Sequence, residues 1–431
     1  MLKDNSQKIK NGDIFIAIRG VNNDGHSYIN EAIKNGAKMV ICEYGNYSVD
    51  TVICKDTKEF LNNYLKVNYP KIKVIGITGT NGKTTTAYLI YQALNILNIK
   101  CAYIGTIGFY LEKKVKDLNN TTPSSLEIFN MMNEASKNKY EYIVMEVSSH
   151  ALDQGRCDFI SFDYAIFTNL TEDHLDYHKT MENYALAKQK LFKDLSKINI
   201  INNDSEYADY FKINNYVTYG FKKSDYNINV KKYFSVNNNV YKTKLYGKHN
   251  VYNLSCVVVL LNLLKIPKYM IKKVIYKLKA PDGRMKTINY FSNKIIIDYA
   301  HTPDAFKNVI NSLNNYHKLY IVFGCGGNRE REKRALMGNI ATNCADYVII
   351  TNDNPRYEDE NAILLDILKG ICKNNYEIEL NRGKAIEKGI QLLKKNDILL
   401  VLGKGHEKYQ IIKNNKIFFS DLDEVLKCIR R

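Results

Sequence analysis

The middle of the chain alternates apolar runs with segments of helical periodicity. Val74 to Ile77, Tyr142 to Val147 and Tyr164 to Phe167 are apolar, and polar turns and helical segments separate them. Runs without polar alternation are typical of strands that are covered on both faces. The pattern from residue 71 to residue 283 therefore predicts a mostly parallel sheet with helices on its faces.

Two segments of this middle region have a different character. Tyr226 to Lys244 is polar with alternating Val, Tyr and Phe, which predicts an exposed antiparallel hairpin. Asn250 to Leu264 is strongly apolar, which predicts a buried helix. Both elements are expected to belong to the middle domain.

The first 70 residues predict a small α/β unit of their own. Gly12 to Ile18 and Met39 to Cys42 read as strands, and Tyr28 to Gly36 between them reads as a helix. Pro70 marks a junction before the next apolar strand. We therefore expect a first domain over residues 1–70 and a second over residues 71–283.

The pattern changes again near Gly283 and Arg284. Beyond this point apolar runs alternate with helical segments to the end of the chain, which predicts a third, doubly wound unit of normal domain size over residues 284–431. The predicted fold class is α/β in three domains. The expected strands of the third domain are Ile295 to Ile297, Leu319 to Phe323, Tyr347 to Thr351 and Ile398 to Leu402.

Composition narrows the class of protein. The 431 residues are 45% hydrophobic and 25% charged, which are globular values. No apolar run approaches the roughly 20 residues of a membrane span, and the polar N-terminus has no apolar signal core. Nine cysteines without a C-x-x-C pair suggest neither a zinc site nor a disulfide framework. We expect a soluble cytoplasmic protein without a membrane partner.

The formal net charge of +17 raises the question of whether the protein binds nucleic acid. The lysines are spread along the whole chain among Asn, Ile and Tyr, residues that share AT-rich codons. Codon bias explains this composition better than a nucleic-acid site does, and anionic small substrates account for part of the rest. No nucleic-acid partner is expected.

The stretch with the clearest chemistry is Val74 to Ala87, which contains Gly79-Thr80-Asn81-Gly82-Lys83-Thr84-Thr85. An apolar strand enters a glycine-rich turn, and a helical segment follows. Backbone N–H groups and the helix N-terminus favour an anion in this setting, Lys83 adds a point charge, and Thr84 can hold Mg²⁺. Ile77 stands where the strict phosphate-loop pattern has its first glycine. The stretch predicts binding of a nucleoside triphosphate.

Acidic and imidazole side chains follow the next predicted strands. Glu146 ends one strand, and Thr168 to His178 follows another with two histidines among three carboxylates. Ligands of α/β sheets lie at the carboxyl ends of strands, so Glu146 is placed to hold a metal ion beside the triphosphate. A buried salt bridge is the alternative for Glu146. His174 is a candidate metal ligand or phosphate contact.

Three turns of the predicted third domain also follow strands. They are residues 324–329 (Gly-Cys-Gly-Gly-Asn-Arg), 353–356 (Asp-Asn-Pro-Arg) and 403–407 (Gly-Lys-Gly-His-Glu). Because they lie at strand carboxyl ends, they are expected to converge on one pocket. Taken alone, residues 353–356 are equally well explained as an ordinary turn.

The motifs together resemble the Mur ligases. The segments G-T-N-G-K-T-T, M-E-V-S-S-H-A-L, N-L-T-E-D-H-L-D-Y-H and D-Y-A-H-T-P-D-A occur in the family's order, and the likeness runs from Ser6 to about Asp421. These enzymes form amide bonds of peptidoglycan precursors at the expense of ATP, and the likeness is greatest to their tripeptide synthetases (MurE). The resemblance implies a UDP-binding unit, a central P-loop-type ATPase and a C-terminal Rossmann-like unit.

The resemblance also implies roles for residues of the ATPase. Lys83, Glu146, His174 and Lys188 would be catalytic, and Mg²⁺ would be held by Thr84, Glu146, His174 and a Lys188 carbamylated by CO₂. By sequence alone Lys188 passes as a solvated helix lysine. The implied ATP contacts are Gly79, Thr80, Asn81, Gly82, Lys83, Thr84, Thr85, Asn250, Asn253, Arg284 and Asp298.

The two other substrates would bind on either side of the ATPase. Asn5 and Gln7 depart from the family pattern around Ser6, and the turn from Val21 to Asn23 is a second implied UDP contact. Contacts implied for the UDP-muramoyl peptide are Ser6, Thr121, Thr122, Ser148, Gln154 and Arg156. Contacts implied for the incoming amino acid are Arg329, Asp353, Asn354, Pro355, Arg356, Gly403 and Glu407.

Arg356 bears on the choice of amino acid. Family members with the D-N-P-R form use meso-diaminopimelate, whose second carboxylate an arginine binds bidentately. Glu332 and Ala335 depart from the family pattern nearby. We expect a monomeric ligase that adds meso-diaminopimelate to the D-glutamyl γ-carboxylate of UDP-N-acetylmuramoyl-L-alanyl-D-glutamate through an acyl phosphate.

Three alternatives remain open at this point. The chain could add lysine or be another ligase of this type, such as a folylpolyglutamate synthase. It could be a P-loop ATPase switch with a macromolecular partner, or an inactive homologue that only binds a UDP-sugar. An amino-acid-dependent phosphate-release assay separates the three.

Overall fold

The structure is a computed structural model, and it describes residues 1–20, 23–245 and 247–430. The first domain contains a four-stranded parallel sheet in the order β1-β2-β3-β4. The strands predicted there are confirmed, although β2 is shorter than expected. The elements of this domain are β1 (Leu2–Lys3), β2 (Ile14–Ile16), β3 (Met39–Cys42), β4 (Asp50–Ile53), α1 (Ile29–Lys34) and α2 (Thr57–Val67), with short 3₁₀ helices at Ser6–Lys8 and Gly25–Tyr28.

The middle domain is built on a sheet whose described strands number eleven, in the order β15-β14-β13-β12-β11-β10-β5-β9-β6-β7-β8. In this order the strands from β13 through β5 to β6 pair in parallel, and the strands at the two ends pair antiparallel. This confirms the predicted, mostly parallel sheet. The first five strands are β5 (Lys73–Thr78), β6 (Cys101–Gly105), β7 (Gly108–Tyr110), β8 (Lys114–Lys116) and β9 (Tyr142–Glu146). The others are β10 (Phe162–Phe167), β11 (Ser196–Asn202), β12 (Tyr216–Gly220), β13 (Tyr226–Val230), β14 (Phe234–Val236) and β15 (Asn239–Tyr241).

Helices cover both faces of this sheet. The apolar helix α8 is close to its predicted bounds, and most apolar side chains of α8 and of the phosphate-loop helix α3 are buried. The helices are α3 (Lys83–Ile96), α4 (Ser125–Lys137), α5 (Ser149–Asp153), α6 (Leu175–His178), α7 (Met181–Lys193), α8 (Lys248–Leu263) and α9 (Lys268–Lys277), with a 3₁₀ helix at Ala208–Phe211.

The prediction of an exposed hairpin over Tyr226 to Lys244 is wrong in two respects. The segment forms three strands, β13 to β15, with antiparallel pairing. One face is buried, because Ile228, Phe234 and Tyr241 join the apolar core that also contains Ile271 of α9. A period of two along each strand places one side chain in this core and the next in solvent.

The third domain has a six-stranded sheet in the order β16-β17-β21-β18-β19-β20, parallel except for the edge strand β16. This confirms the predicted doubly wound unit. Its strands are β16 (Lys286–Tyr290), β17 (Asn293–Asp298), β18 (Leu319–Phe323), β19 (Tyr347–Ile350), β20 (Tyr376–Ile378) and β21 (Ile398–Leu402), with a separate hairpin of β22 (Tyr409–Ile412) and β23 (Asn415–Phe418). Its helices are α10 (Pro303–Asn311), α11 (Glu332–Cys344), α12 (Glu360–Leu368), α13 (Arg382–Gln391) and α14 (Asp421–Ile429).

The sheet order positions the candidate site. Strands β9, β5 and β10 are neighbours and parallel, so Glu146, Thr78 and Phe167 end at one edge of the sheet. The loops after β17, β18, β19 and β21 leave the corresponding edge of the third sheet. Among the residues that the structure describes, no helix is long and apolar enough to cross a membrane.

Candidate active site

The phosphate loop joins β5 to α3 and is held in a tight conformation. Gly79 and Gly82 have φ of 147° and 85°, in the region that favours glycine. A Cβ on Gly79 would lie 2.0 Å from the Thr168 hydroxyl, so only glycine fits there. The Lys83 ammonium donates hydrogen bonds to the carbonyls of Gly79 (2.8 Å) and Thr80 (2.9 Å). The strand, glycine loop and helix predicted from the sequence are confirmed.

Asn169 fixes this loop from the next strand. Its side-chain oxygen accepts a hydrogen bond from the N–H of Asn81, and its amide donates to the Asn81 carbonyl. The Asn169 carbonyl accepts from the N–H of Thr80. Sequence reasoning missed this contact, since it joins residues 88 positions apart.

Glu146 ends β9 beneath the loop, fully buried. One carboxylate oxygen accepts from the Tyr103 hydroxyl and the N–H of Thr106, and the other accepts from the hydroxyls of Thr84 (2.8 Å) and Thr106 (3.1 Å). Within the described residues, no basic nitrogen lies within 4.0 Å of this carboxylate, so the salt-bridge alternative is not what the structure contains. A buried, unpaired carboxylate beside a hydroxyl favours a cation.

Lys188 lies on α7 with only 1% of its surface exposed, which corrects its interpretation as a solvated lysine. Its ammonium nitrogen lies 3.1 Å from the Gly79 carbonyl and 4.5 Å from the centre of the Tyr184 ring. Burial, with Lys83 nearby, holds the pKa of the Lys188 amine well below its ordinary value. An amine with a lowered pKa is neutral more often, and the neutral amine is the form that attacks CO₂.

Three histidine rings meet next to the phosphate loop. The His150 ring centre lies 4.9 Å from that of His174 and 5.4 Å from that of His178. His174 has φ of 58° at the N-terminus of α6, and its Nε2 lies 3.4 Å from the Asp173 carboxylate. Burial lowers the pKa of His174 to about 3. A neutral imidazole beside the loop is suited to bind a metal ion or accept a hydrogen bond.

The free energy of unfolding is expected to fall in acid because of His178. Burial lowers its pKa to about 4, below the ordinary value of about 6.5. The folded protein holds the neutral ring while the unfolded chain takes up a proton, so stability is full above about pH 6.5 and is lost as the pH falls towards 4. The loss from this group is about 2 to 3 kcal/mol, measurable by urea unfolding at a series of pH values.

The matched variants are His178→Gln and His317→Gln. The first should flatten the pH dependence of stability between about pH 6.5 and 4. His317→Gln is the control for loss of a histidine whose side chain is 64% exposed. A His178 variant with the parent's pH dependence would contradict the assignment.

The residues predicted to hold the muramoyl peptide form a connected network beside Glu146. The Thr122 hydroxyl donates to the Glu146 carbonyl and accepts from the N–H of Ser148. Arg156 donates to the Thr122 carbonyl and to the Gln154 side chain. Thr121 joins the group through Thr106, since their hydroxyl oxygens lie 3.1 Å apart.

Ser6 lies apart from this network. Its hydroxyl donates to the Glu31 carboxylate, and its side chain is buried. The first domain nevertheless touches the middle domain nearby, because Ser124 donates to the Asp4 carboxylate. Val21 and Asn22, from the second predicted UDP contact, lie outside the described residues.

A cavity of about 660 Å³ opens between the phosphate loop, α8 and the third domain. Asn250 and Asn253 line it, and the Asn253 amide donates to the side chain of Asn250. Arg284 also lines it, stacks 4.6 Å from the centre of the Tyr299 ring and donates to the Thr84 hydroxyl. Asp298 accepts from the N–H groups of Met285 and Ala300. The predicted nucleotide residues are thus brought together.

A second cavity, of about 260 Å³, runs from the phosphate loop to the third domain. Lys83, Glu146 and His174 line one end, and the three turns of the third domain line the other. The predicted convergence of these turns is confirmed. The third-domain residues around it are Gly324, Arg329, Asp353, Asn354, Arg356, Gly403 and Glu407.

Arg356 is held in place at this cavity. It has φ of 56°, its N–H donates to the Ile411 carbonyl, and its guanidinium donates to the Gly327 carbonyl at 2.8 Å. Burial and the neighbouring Arg329 lower the pKa of Arg356. Two adjacent guanidinium groups with this repulsion favour an anionic ligand between them.

The opposite wall of the cavity is acidic and equally ordered. Glu407 accepts hydrogen bonds from Asn354 (2.8 Å) and from the buried ammonium of Lys404 (3.2 Å). Gly403 has φ of 111°, and a Cβ there would lie 2.6 Å from a carboxylate oxygen of Asp353. Burial raises the pKa of Asp353. Carboxylates on this wall and guanidinium groups opposite match an amino acid with charges of both signs.

Two contacts between domains were missed by sequence reasoning. The Glu330 carboxylate accepts from the N–H of Leu175 at 2.7 Å, and the Asp304 carboxylate accepts from the Asn81 side chain at 2.8 Å. The first joins the third domain to the start of α6, and the second joins the first turn of α10 to the phosphate loop. The positions of Glu330 beside Arg329 and of Asp304 in the D-Y-A-H-T-P-D-A segment were the available signals.

Three family profiles match consecutive parts of the chain. The Mur ligase family catalytic domain matches residues 1–79, the Mur ligase middle domain matches residues 77–261, and the Mur ligase glutamate ligase domain matches residues 283–405. The chain is thus similar to this family from its first residues to its third sheet.

Individual relatives match over nearly the full length. A Fusobacterium nucleatum protein named UDP-N-acetylmuramoyl-L-alanyl-D-glutamate--2,6-diaminopimelate ligase is 41% identical, covering 96% of this chain and 91% of the relative. A protein of the same name from Aquifex aeolicus is 41% identical, covering 99% and 92%. A solved structure of a ligase with this name has a TM-score of 0.68 at 31% identity, covering 100% of this chain and 94% of that chain.

The similarity in sequence extends over the same three domains as the similarity in structure. It includes the phosphate loop, the strand end at Glu146 and the third-domain turns, which the fold brings to two adjoining cavities. The resemblance inferred from the motifs is therefore confirmed: the chain belongs to the Mur ligase family, the ATP-dependent amide ligases.

Proposed function

We propose that the protein joins meso-diaminopimelate to the D-glutamyl γ-carboxylate of UDP-N-acetylmuramoyl-L-alanyl-D-glutamate, using ATP. The supporting observation is the 260 Å³ cavity, which connects Lys83 and Glu146 with Arg329 and Arg356. One end suits a phosphoryl group, and the other suits an amino acid with an extra carboxylate. The names of the relatives given above agree with this proposal.

The first step is activation of the carboxylate. The D-glutamyl γ-carboxylate attacks the γ-phosphoryl group of ATP, which forms an acyl phosphate and releases ADP. Lys83 lies at the phosphate loop and stabilises the charge that develops on the phosphoryl oxygens. Its ammonium is held by the carbonyls of Gly79 and Thr80, so it is positioned before the substrate arrives.

The second step forms the amide bond. The free amine of diaminopimelate attacks the acyl carbon, the amine loses a proton, and phosphate leaves. Arg356 and Arg329 would bind the distant carboxylate, and Glu407 and Gly403 would hold the distal ammonium. The contacts of Glu330 and Asp304 with the middle domain close the third domain over the cavity and limit the entry of water.

Magnesium fits the residues at the phosphate loop. The Thr84 hydroxyl and the buried, unpaired Glu146 carboxylate offer the oxygen ligands that Mg²⁺ prefers. We propose that Thr84, Glu146, His174 and carbamylated Lys188 hold Mg²⁺, which when bound neutralises charge on the phosphates. The described residues contain no cluster of three or more His, Cys, Asp or Glu side chains for a metal, so Thr84 and the carbamate are essential to the proposed ligand set.

The remaining proposals concern the domain boundaries and the oligomeric state. We retain domain bounds of 1–70, 71–283 and 284–431, since β4 ends at Ile53, β5 begins at Lys73 and β16 begins at Lys286. We also propose that the protein is a monomer.

The experiment that tests the function is phosphate release by the purified protein with ATP and Mg²⁺. Release should require both the UDP-muramoyl dipeptide and diaminopimelate, and Glu146→Gln should lower it roughly a hundredfold or more, because the variant loses the buried carboxylate. Release that ignores the amino acid would overturn the proposal. Release stimulated by protein or nucleic acid would instead support an ATPase switch.

A further inference from the structure

The net positive charge of the chain lies mostly in one segment. Lysines occur throughout, but residues 222–279 contain thirteen lysines, no arginine and one acidic residue, Asp225. This segment therefore carries a net +12 of the chain's +17. The other 373 residues are close to balanced, so codon bias alone does not explain where the charge lies.

Helix α9 presents four of these lysines on its outer face. Ile271, Val274 and Ile275 are buried in the core of the middle domain. The opposite face, here called the lysine–tyrosine face, consists of Lys268, Tyr269, Lys272, Lys273, Tyr276 and Lys277, all exposed. Positions three and four apart share one side of a helix, so the lysines and tyrosines alternate over a single surface.

The strands β13 to β15 extend this surface. Lys244 lies 5.0 Å from the centre of the Tyr276 ring, and Lys242 lies 5.2 Å from that of Tyr233. Val230, on the same face of the sheet as Phe234, is 48% exposed. The surface therefore combines cations, tyrosines and an aliphatic side chain.

None of the thirteen lysines, all of which the structure describes, has a carboxylate oxygen within 4.0 Å. Some lysines elsewhere in the chain are paired, such as Lys197 with Asp163 and Lys388 with Glu379. Tyr269 is 63% exposed and Tyr276 is 50% exposed. An unpaired cationic surface with exposed rings is complementary to an extended anionic partner.

We propose that the lysine–tyrosine face docks the protein peripherally on an anionic lipid surface. Lysines close to anionic headgroups are attracted to them, and tyrosines are enriched at the membrane–water interface. Nucleic acid is the less fitting partner, because arginine is the usual residue for bidentate phosphate and base contacts and the segment has none. Peripheral docking does not require an apolar membrane span. The lack of such a span, which led us to expect no membrane partner, is therefore compatible with this proposal.

The face is separate from the catalytic machinery. None of its six residues lines either cavity of the active site. Removing its charge should therefore leave the ligase reaction in solution unchanged. This separates failure of the docking proposal from failure of the proposed function.

The test is co-sedimentation of the full-length protein with vesicles of phosphatidylglycerol and phosphatidylcholine in equal parts, and of phosphatidylcholine alone. Binding should occur only with the anionic vesicles and weaken with salt. The quadruple variant K268Q/K272Q/K273Q/K277Q should bind at least about tenfold more weakly. Y269S/Y276S should also weaken binding, at unchanged charge.

The matched control removes four exposed lysines of the third domain, K307Q/K384Q/K394Q/K395Q, and should keep the parent's vesicle affinity. Equal losses in the two quadruple variants would show a net-charge effect and overturn the proposal. Absence of vesicle binding, or binding to duplex DNA that is tighter than to the vesicles and depends on the same four lysines, would also overturn it.

Discussion

Replacing Lys188 with alanine is expected to reduce the ligase rate roughly a hundred- to a thousandfold, the usual loss when a preorganised group at a reacting phosphate is removed. The side chain is buried against the Gly79 carbonyl, next to the loop that carries Lys83. A buried lysine without an acidic partner is costly, and its lowered pKa favours reaction with CO₂. In the proposed modification the neutral amine forms a nitrogen–carbon bond with CO₂ and loses a proton, which would make the side chain an anionic carbamate.

The measurement combines phosphate release with a signal that does not depend on turnover. Protein equilibrated with ¹³C-bicarbonate should show a carbamate resonance that Lys188→Ala lacks. Lys190→Ala, an exposed lysine on the same helix, should keep both the resonance and the rate. An active parent without the resonance, or a Lys188→Ala variant at the parent's rate, would contradict the proposed modification.

Replacing Arg356 with alanine is expected to lower kcat/KM for diaminopimelate by about 30-fold to several thousandfold, since loss of one partner of a buried charge pair costs about 2 to 5 kcal/mol. The guanidinium is fixed by the Gly327 carbonyl, and the backbone by Ile411. The amino acid lysine lacks the second carboxylate, so its binding does not depend on this contact with Arg356. Activity with lysine should therefore change much less than activity with diaminopimelate.

The assay compares diaminopimelate and lysine in the same phosphate-release experiment. Arg331→Ala is the matched control, because Arg331 lies near the same cavity but its exposed guanidinium pairs with Asp366 and lines neither cavity. The control should keep the preference for diaminopimelate. Equal falls for the two amino acids in the Arg356 variant would show that Arg356 does not select the substrate.

The elements of the fold were largely predictable. Leu319 to Phe323 and Ile398 to Leu402 match β18 and β21 at both ends, because a buried parallel strand is an unbroken apolar run. The pattern from Tyr226 to Tyr241 did not reveal three separate strands, since short alternating strands give a weak signal. The burial of Lys188 was not predictable either, because both charged and apolar residues flank Lys188 in the sequence of α7.

The sequence by itself determined the phosphate loop, the three α/β units and the membership of the family, because these depend on local order: a strand, a glycine turn, a helix, and motifs in a fixed succession. Only the tertiary structure decided which groups share a cavity. The contacts of Glu146 with Tyr103 and Thr106, and of Asn169 with the loop, follow from the strand order β10-β5-β9-β6. Side-chain contacts between strands distant in sequence depend on that order, and no local pattern encodes it.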